Sequence, residues 1–285
     1  MATTVAVIAA GAMGAVVGGR MALKGARVLT SLSGRSAKSK DRAAKMGLVD
    51  APDADIAGVQ YLLSIVPPKD ALALADRLLP ALRASASKPV YVDCNAKSLQ
   101  SSAAIGARVA EAGVRYVDAC IIGHPGRPEE PGPLVYLSGE RPGDLEALAA
   151  LGLRVRSTGG PAGSASALKM AFAGLNKGLT GLAAAMTIAA IRSGAGPALL
   201  EQMTESNPPL LAHLLGALPD MYAKAYRWDF EMQEVARFAA AYPELVPLYE
   251  SMGAFFARLG RDWDGDRTDI AAIDAFLALA KKPAA

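Results

Sequence analysis

The sequence predicts an α/β Rossmann-like doubly wound sheet followed by an all-α C-terminal domain. Three observations predict this fold class. A short apolar strand, a glycine turn and a helix open the chain, apolar runs and helical stretches then alternate, and no convincing strand follows Ser164. Such alternation is typical of a mostly parallel sheet with helices on both faces. We therefore expect two domains, residues 1–160 with the sheet and residues 161–285 with helices only.

The predicted strands are short runs rich in β-branched and aromatic residues. Thr4–Ile8 is the first run, Gly25 ends the helix that follows it, and Arg27–Leu32 is the next strand. Together these segments make a βαβ unit. Further strands are predicted at Tyr61–Val66, Val90–Val92, Tyr116–Ile122, Val135–Leu137 and Arg154–Ser157.

The all-helical half begins with one long predicted helix. Its large apolar residues recur at helical spacing and form one stripe: Leu168, Phe172, Leu175, Leu179, Leu182 and Met186. The opposite side adds mostly small residues: Met170, Ala171, Gly174, Gly178, Gly181 and Ala185. Small residues let a second helix approach closely, and a helix that is apolar on both sides needs burial on both sides. The sequence therefore predicts a homodimer.

The composition excludes several classes of function. Apolar residues make up 52% of the chain and charged residues 20%, which is the opposite of the balance found in disordered proteins. The net charge of +3 is spread along the chain without a basic stripe, so we expect no nucleic-acid partner. Cys94 and Cys120 lack the ligand spacing of a zinc site. We expect no metal and two buried free thiols.

The uncharged start of the chain could be mistaken for a signal peptide or a membrane anchor. Met1–Gly19 has no charged side chain, but it has no positive leading region and contains several glycines, which fits a strand, a turn and a helix better. Gly178–Ile191 is also uncharged, yet it is shorter than the about 20 residues that a bilayer requires. We expect a cytoplasmic protein with no membrane partner.

A glycine turn follows the first predicted strand and opens the first predicted helix. The turn, Ala9–Gly14, has an AxGxxG pattern with Ala9 where a first glycine is usual. Dinucleotide sites hold a pyrophosphate against a helix N-terminus, where glycines allow a tight turn and a close backbone approach. An ordinary glycine-rich turn is the alternative. The context favours a cofactor site formed by Ala10, Gly11, Ala12, Met13 and Gly14.

The end of the second strand distinguishes the two nicotinamide cofactors. NAD sites usually present an acid to the ribose hydroxyls, whereas NADP sites offer Arg or Lys to the 2′-phosphate. Here no acid appears before Asp41. Arg35 can give phosphate a charge-assisted fork, and Ser33 and Ser36 add hydroxyl groups. A solvated basic helix start is the alternative, but the segment favours NADP(H).

Several segments along the chain match motifs of one superfamily. Ala9–Gly14 resembles a GLGxMG opening, and Ser64–Pro68 resembles a fourth-strand motif that lines the cofactor. Val92–Ala96 resembles a segment beside the nicotinamide ribose, and Asp118–Gly123 is similar in part to a substrate loop, DAPVSGG. Gly160–Lys169 is similar to the segment that carries a catalytic lysine. The chain thus resembles the 6-phosphogluconate dehydrogenase and β-hydroxyacid dehydrogenase superfamily.

The resemblance implies roles for single residues and an assembly. Cofactor contacts are implied at Val66, Pro67 and Asn95, and substrate contacts at Ile122 and Gly123. In the C-terminal half, Lys169–Gly178 and Arg227–Met232 resemble a subfamily whose last domain is known only as a domain of unknown function. The resemblance also implies a two-domain dimer, in which the long helix links the domains and the helical half forms the subunit interface.

Lys169 is the candidate for proton transfer. Hydride transfer belongs to the cofactor, so the protein must supply a proton donor and acceptor beside the reacting carbon–oxygen bond. A free lysine has a pKa near ~10.4, but apolar surroundings and a neighbouring cation lower that pKa toward the working range. Lys169 lies one turn into the long helix, between Leu168 and Met170. A surface lysine on an amphipathic helix is the alternative.

Three further candidates depart from the family pattern or have structural alternatives. Asn176 lies seven residues after Lys169, because Phe172 and Ala173 stand where the family has asparagines. It either orients substrate or is an interior amide. His124 is either a second proton carrier or a structural loop histidine. Trp228 either lines the substrate pocket or packs in the helical core.

These observations predict an NADP(H)-dependent oxidoreductase that acts on a secondary alcohol or hydroxyacid, or on the corresponding carbonyl compound. The partner is a small-molecule substrate. Two alternatives stay open: an NADPH-dependent imine reductase and a non-catalytic NADPH-binding sensor. Related imine reductases generally carry Asp or Tyr where this chain has Lys169, so the lysine favours the carbonyl reaction.

Overall fold

The computed structural model describes residues 3–141 and 143–281. The chain divides into two compact units, the first ending at Met170 and the second beginning at Ala171. This division falls inside the long helix rather than at the turn near residue 160, where the sequence changes in character. The first two turns of that helix are therefore grouped with the sheet.

The first unit contains an eight-stranded sheet of order β3-β2-β1-β4-β5-β6-β7-β8. Its strands are β1 (Thr4–Ile8), β2 (Arg27–Thr30), β3 (Val49–Asp50), β4 (Tyr61–Ser64), β5 (Val90–Asp93), β6 (Arg115–Ile122), β7 (Leu134–Ser138) and β8 (Arg154–Ser157). All neighbours pair in parallel except β6 and β7, which pair antiparallel. The predicted doubly wound sheet is confirmed. The sequence analysis missed β3, which has only two residues, both exposed.

Helices connect the strands of this sheet. They are α1 (Ala12–Leu23), α2 (Ala37–Lys45), α3 (Asp53–Ile56), α4 (Ala71–Ala84), α5 (Leu99–Ala110) and α6 (Asp144–Ala150), and a 3₁₀ turn at Pro68–Asp70 precedes α4. Residues of β1 alternate between two apolar clusters, with Val5 and Val7 in one and Ala6 and Ile8 in the other. This alternation is expected for a strand with a core on both faces of its sheet.

The second unit is helical, as predicted: residues 164–281 contain no strand. Its helices are α7 (Ser164–Arg192), which begins in the first unit, α8 (Gly196–Ser206), α9 (Pro208–Met221), α10 (Trp228–Phe238), α11 (Leu245–Asp264) and α12 (Thr268–Ala280). A 3₁₀ segment, Tyr222–Arg227, connects α9 and α10. Pro208 occupies the first turn of α9, and Asn207 caps that helix by accepting a hydrogen bond from the amide of Leu210.

The two faces of α7 have different surroundings in the second unit. The small-residue face lies against α11 of the same chain: a Cβ on Gly174 would lie 2.9 Å from the Tyr249 hydroxyl, and one on Gly181 would collide with Met252. The helix that approaches this face is thus an intrachain one. The large apolar stripe is exposed, with Leu175 72% and Met186 54% accessible.

Both cysteines are free and buried, as predicted. Burial raises the pKa of the Cys94 thiol well above its usual value and that of Cys120 to about 11. The two thiols are therefore protonated at neutral pH and are poor nucleophiles. Among the described residues, no helix combines the length and the apolar character needed to cross a bilayer.

Candidate active site

The glycine turn joins β1 to α1 at the carboxyl edge of the sheet. Gly11 precedes α1 and provides no side-chain cap for the amides of its first turn. A Cβ on Gly11 would meet nothing within 4 Å, whereas a Cβ on Gly14 would collide with the carbonyl of Ala9. Gly14 thus allows the turn to be tight, and the space over Gly11 is open. Ala10, Ala12 and Met13 complete the turn and begin α1. Uncapped amides facing open space are suited to an anion.

The residues predicted for the 2′-phosphate lie just after β2. Ser33, Arg35 and Ser36 are all exposed. Ser36 also caps α2, because its hydroxyl accepts a hydrogen bond from the amide of Ser39 at 3.4 Å. Arg35 directly precedes this cap. Their phosphate contacts stay predictions.

Arg42 is a cation near the glycine turn that the sequence analysis did not single out. Its guanidinium donates a hydrogen bond to the carbonyl oxygen of Ala10 at 3.2 Å, and the side chain is half-buried. The residue lies on α2, one helical turn before Lys45 and two turns after Arg35. The basic residues that follow Arg35 along α2 were the available signal.

Asp50 is an acid beside the end of β2 that the sequence analysis also missed. Its carboxylate accepts a hydrogen bond from the amide of Leu32 at 2.8 Å, although the two residues are 18 positions apart. A cavity of about 550 Å³ lies there, lined by Ser31, Ser33, Asp50, Ala51, Pro52, Asp53 and Arg77. The segment after β2 has no acid before Asp41, and the acid beside the end of β2 comes from the neighbouring strand β3.

Asn95 holds together the ends of two neighbouring strands. Its side-chain oxygen accepts a hydrogen bond from the amide of Val66 at 2.7 Å, and its amide nitrogen donates to Ser64 Oγ at 2.8 Å and to Asp93 Oδ1 at 2.6 Å. The structure thus brings together two predicted cofactor residues, Val66 and Asn95. Pro67 follows them as an exposed residue. Their contacts with a cofactor stay predictions.

Lys169 lies near the beginning of α7 and contacts the end of β6. Its Nζ atom donates a hydrogen bond to the carbonyl oxygen of Ile121 at 3.0 Å, and the side chain is half-buried. Ile122 and Gly123 follow at the end of the strand, and Gly123 has a φ of +120°, which glycine tolerates and other residues rarely adopt. The predicted lysine and the predicted substrate loop are therefore neighbours.

The loop that follows Gly123 is fastened to α1. The guanidinium of Arg20, a buried residue of α1, donates hydrogen bonds to the carbonyl oxygens of Pro125, Arg127 and Glu130. His124 is exposed at the beginning of this loop. Burial lowers the pKa of Arg20 from its usual value. Arg20 thus fixes the loop that begins at His124, and the sequence analysis did not predict this contact.

A buried charge cluster lies at the end of β5 and in the middle of β6. Asp93 and Asp118 are register partners on these strands, and Lys97 lies between their carboxylates. Lys97 Nζ lies 3.0 Å from Asp118 Oδ1 and 3.4 Å from Asp93 Oδ2. The side chains of all three are fully buried. The sequence analysis missed this cluster, although one acid at the end of an apolar strand and another inside the next apolar strand were a signal that a cation was needed.

Asp118 also caps α7. Gly163, before the helix, has no side chain, and the amides of the first turn bond instead to the sheet. The amide of Ser166 donates to Asp118 Oδ2 at 2.9 Å, and that of Ala165 donates to Ser138 Oγ at 3.1 Å. The hydroxyls of Ser138 and Ser166 donate to the same Asp118 carboxylate. The cap of α7 is therefore supplied by β6 and β7.

The predicted residues of the second unit have local partners. Asn176 is exposed, and its side chain donates to the carbonyl of Phe172 in its own helix at 2.9 Å. Trp228 is buried with its ring edge-to-face with Phe256, the centroids 5.0 Å apart. Lys177 lies 5.3 Å from the Trp228 ring. The substrate roles of Asn176 and Trp228 stay predictions.

Comparisons with known proteins agree with this architecture. The profile of a domain of unknown function, DUF1932, matches residues 190–259. A conserved protein of unknown function, whose structure is described as similar to 3-hydroxyacid dehydrogenases, is 25% identical, with a TM-score of 0.70 over 92% of this chain and 98% of that chain. The chain shares the fold of the β-hydroxyacid dehydrogenases. The superfamily resemblance found in the sequence is confirmed, with DUF1932 as its C-terminal domain.

Two enzymes with this β-hydroxyacid dehydrogenase fold are also similar. The 3-hydroxyisobutyrate dehydrogenase of Mycobacterium tuberculosis, solved with L-serine, is 16% identical, with a TM-score of 0.72 over 96% of this chain and 99% of that chain. An imine reductase from Myxococcus stipitatus, solved with NADP⁺, is 18% identical, with a TM-score of 0.51 over 97% and 100%. At these identities the likeness concerns the fold alone. A comparison with curated proteins finds no matching relative.

Proposed function

We propose that this protein is an NADP(H)-dependent oxidoreductase that interconverts a secondary alcohol or hydroxyacid and the corresponding carbonyl compound. One observation carries the proposal: Lys169 Nζ is hydrogen-bonded to Ile121 at the end of β6. The glycine turn follows β1 at the same carboxyl edge of the sheet. Open α/β sheets bind their ligands at this edge. A proton carrier and a dinucleotide turn thus share one edge of the first unit.

The residues present fit a dinucleotide. The uncapped amides over Gly11 suit a pyrophosphate, and the close approach at Gly14 gives the turn its shape. Arg35, Ser33 and Ser36 would hold a 2′-phosphate, and Val66, Pro67 and Asn95 would line the nicotinamide side. When bound, NADP(H) would supply or accept the hydride.

Lys169 has a defined task in this chemistry. Reduction of a carbonyl group leaves an alkoxide oxygen that needs a proton, and Lys169 would donate that proton from Nζ and recover it in the reverse direction. The bond to Ile121 keeps the ammonium group at the end of β6. Backbone amides near Gly123 would orient an acidic group of the substrate. Fixing a proton donor in this way lowers the entropic cost of reaching the transition state.

The neighbours in fold support a nicotinamide-dependent oxidoreductase of small molecules. They include a 3-hydroxyisobutyrate dehydrogenase and imine reductases. Imine reduction is therefore the second candidate. Lys169 favours the carbonyl reaction, because related imine reductases generally carry Asp or Tyr there.

Asp50 favours a second candidate for the cofactor, NAD(H). Its carboxylate lies beside the end of β2, in the position from which an acid meets ribose hydroxyls. One of its oxygens accepts a hydrogen bond from the amide of Leu32. The negative charge of the carboxylate would repel a 2′-phosphate. The positive charges of Arg35 and Arg42 would offset the negative charge of Asp50. NADP(H) stays our first choice because Arg35 directly precedes the cap of α2 and Arg42 on α2 bonds to the glycine turn.

We also propose a homodimer. The exposed stripe on α7 is continuous and apolar, formed by Phe172, Leu175, Leu179, Leu182 and Met186, whose exposed fractions are 37–72%. A contiguous apolar surface of this kind marks an interaction site. A second copy of the chain would bury it.

The proposal is tested by oxidation of NADPH and NADH over a panel of 2- and 3-oxo acids, aldehydes and cyclic imines. We expect turnover with a carbonyl compound and NADPH. Turnover with imines alone would favour the imine reductase, and preference for NADH would favour the role of Asp50. Tight NADPH binding without any turnover would indicate the sensor.

A further inference from the structure

The buried cluster of Asp93, Lys97 and Asp118 has no part in the proposed proton transfer, although it is the most unusual group of charges in the first unit. Lysine and aspartate are rarely fully buried unless they are paired. Here two carboxylates share one ammonium group. Breaking a buried pair by removing one partner leaves an uncompensated charge, which is costly. Burying these three charges is therefore expected to serve a purpose in the protein.

Lys97 determines the state of Asp118. Burial would raise the pKa of Asp118, but the charge of Lys97 and the hydrogen bonds from Ser166 outweigh this effect and hold the pKa below its usual value. For Lys97 itself, burial lowers the pKa, and the two carboxylates outweigh that and raise it. Asp118 is thus ionised and has its oxygen Oδ1 oriented toward Lys97, which leaves Oδ2 for the helix amide.

Asp118 in turn determines where α7 begins. Its carboxylate accepts the amide and the hydroxyl of Ser166. Lys169 follows Ser166 by three residues, so the two side chains leave the same face of the helix. On β6, Ile121 follows Asp118 by three residues and accepts the bond from Lys169. Two successive contacts, Asp118 with Ser166 and Ile121 with Lys169, thus join α7 to one strand.

We propose that Lys97 is a positioning residue: by holding Asp118 in place as the cap of α7, it holds the ammonium group of Lys169 at the end of β6. The inference rests on the proposed acid/base role of Lys169. Lys97 bonds to Asp93 and Asp118; in this proposal it acts through Asp118 and the first turn of the helix.

The test is Lys97→Met in the full chain, which keeps the length of the side chain and removes its charge. We expect kcat to fall by about 10–100-fold, since a shift of about 1 Å at a reacting group has such effects. KM for NADPH should change much less than kcat, because the glycine turn and α2 are not part of the cluster and Asn95 alone of the proposed cofactor residues bonds to one of its members, Asp93. In a Lys169→Met background, Lys97→Met should cost nearly nothing more, because both act through one group.

Hydrogen exchange supplies a readout that does not need activity. In Lys97→Met, the amides of Ala165 and Ser166 should exchange faster, while those of the central strands β1 and β4 keep their protection. Tyr116→Phe is the matched control. The Tyr116 hydroxyl bonds to Asp93 and to Ser102, which in turn donates to Asp118 Oδ1. Tyr116→Phe therefore perturbs the hydrogen bonds of the cluster without removing the charge of Lys97 or the bond between Asp118 and Ser166. Tyr116→Phe should change neither kcat nor the rate of amide hydrogen exchange at the start of α7.

Several outcomes would overturn the proposal. A folded Lys97→Met with normal kcat, or with normal exchange at Ala165 and Ser166, contradicts the positioning role. An equal loss of turnover in the Lys169→Met background indicates a merely structural role. If Lys97→Met fails to fold, Asp118→Asn is measured in the same way, with the same expectations. If the wild type turns over no substrate, the proposed function fails, and unchanged exchange would then sink the positioning role separately.

Discussion

The ammonium nitrogen of Lys169 lies 3.0 Å from the carbonyl oxygen of Ile121. This contact joins the second turn of α7 to the end of the strand that carries the predicted substrate loop. A surface lysine on an amphipathic helix would point to solvent, whereas this side chain is half-buried and has a backbone partner. The contact therefore favours a functional role for the lysine.

Replacing Lys169 tests that role directly. We expect Lys169→Met to lower turnover by ~10²–10⁴-fold, the usual value of general acid–base help. Lys169→Arg should fail almost as badly, because arginine holds its proton. NADPH binding, followed by fluorescence titration, should stay intact, and Lys24→Met, an exposed lysine at the end of α1, is the control. Near-normal turnover would refute the role and make His124 the next residue to replace.

Arg35 tests the choice of cofactor. We expect Arg35→Ala to weaken NADPH binding by ~1.5–3 kcal/mol, the scale of a charge-assisted hydrogen bond, and to leave NADH binding nearly unchanged. Calorimetric titration with each cofactor measures both affinities. Arg83→Ala, which removes an exposed ion pair with Glu111, is the matched control. Equal losses for the two cofactors would contradict the assignment.

Asp50 tests the same choice from the opposite side. If the protein uses NADPH, Asp50→Asn should bind NADPH equally well or more tightly, because the change removes a negative charge near the 2′-phosphate. NADH binding should not improve, since an acid is the usual partner of ribose hydroxyls. The measurement is a pair of dissociation constants. A variant that loses NADH affinity and gains nothing for NADPH would identify Asp50 as a ribose ligand.

Asp118 predicts how stability depends on pH. The pKa of this carboxyl is lower in the folded protein than its usual value. Burial raises the pKa, but Lys97 and Ser166 lower it by more. Such a group contributes stability above its unfolded pKa, near ~3.9, and loses it as pH falls through the folded pKa. We expect the free energy of unfolding in urea to fall below about pH 4, and Asp118→Asn to flatten this slope.

The exposed stripe on α7 predicts the assembly. We expect light scattering to show a dimer at micromolar concentration. Leu175→Glu with Leu182→Glu should give a monomer, because two charges would replace the most exposed leucines of the stripe. Leu72→Glu is the control, since Leu72 is 43% exposed on α4 of the first unit. A wild-type monomer, or a dimer that survives the double substitution, would contradict the proposal.

Local patterns were enough to predict the sheet and its first turn. Thr4–Ile8, the glycine turn and α1 follow each other within one short segment, and their signals depend on neighbours in sequence. Where a partner lies far along the chain, the prediction was less accurate. The strand expected to reach Val66 ends at Ser64, and the amide of Val66 bonds to the side chain of Asn95 instead of continuing the strand.

The sequence by itself determined the fold class and the glycine turn after β1 and singled out Lys169 as the candidate for proton transfer, because periodicity and short motifs record local conformation and burial. Only the tertiary structure decided what surrounds them. Asp50 reaches Leu32 from another strand, and Lys97 becomes fully buried between two acids that are register partners on neighbouring strands. The energy of a charge depends on which groups lie within a few ångströms of it in space. That neighbourhood is set by strand order and helix packing, which no short segment of sequence records.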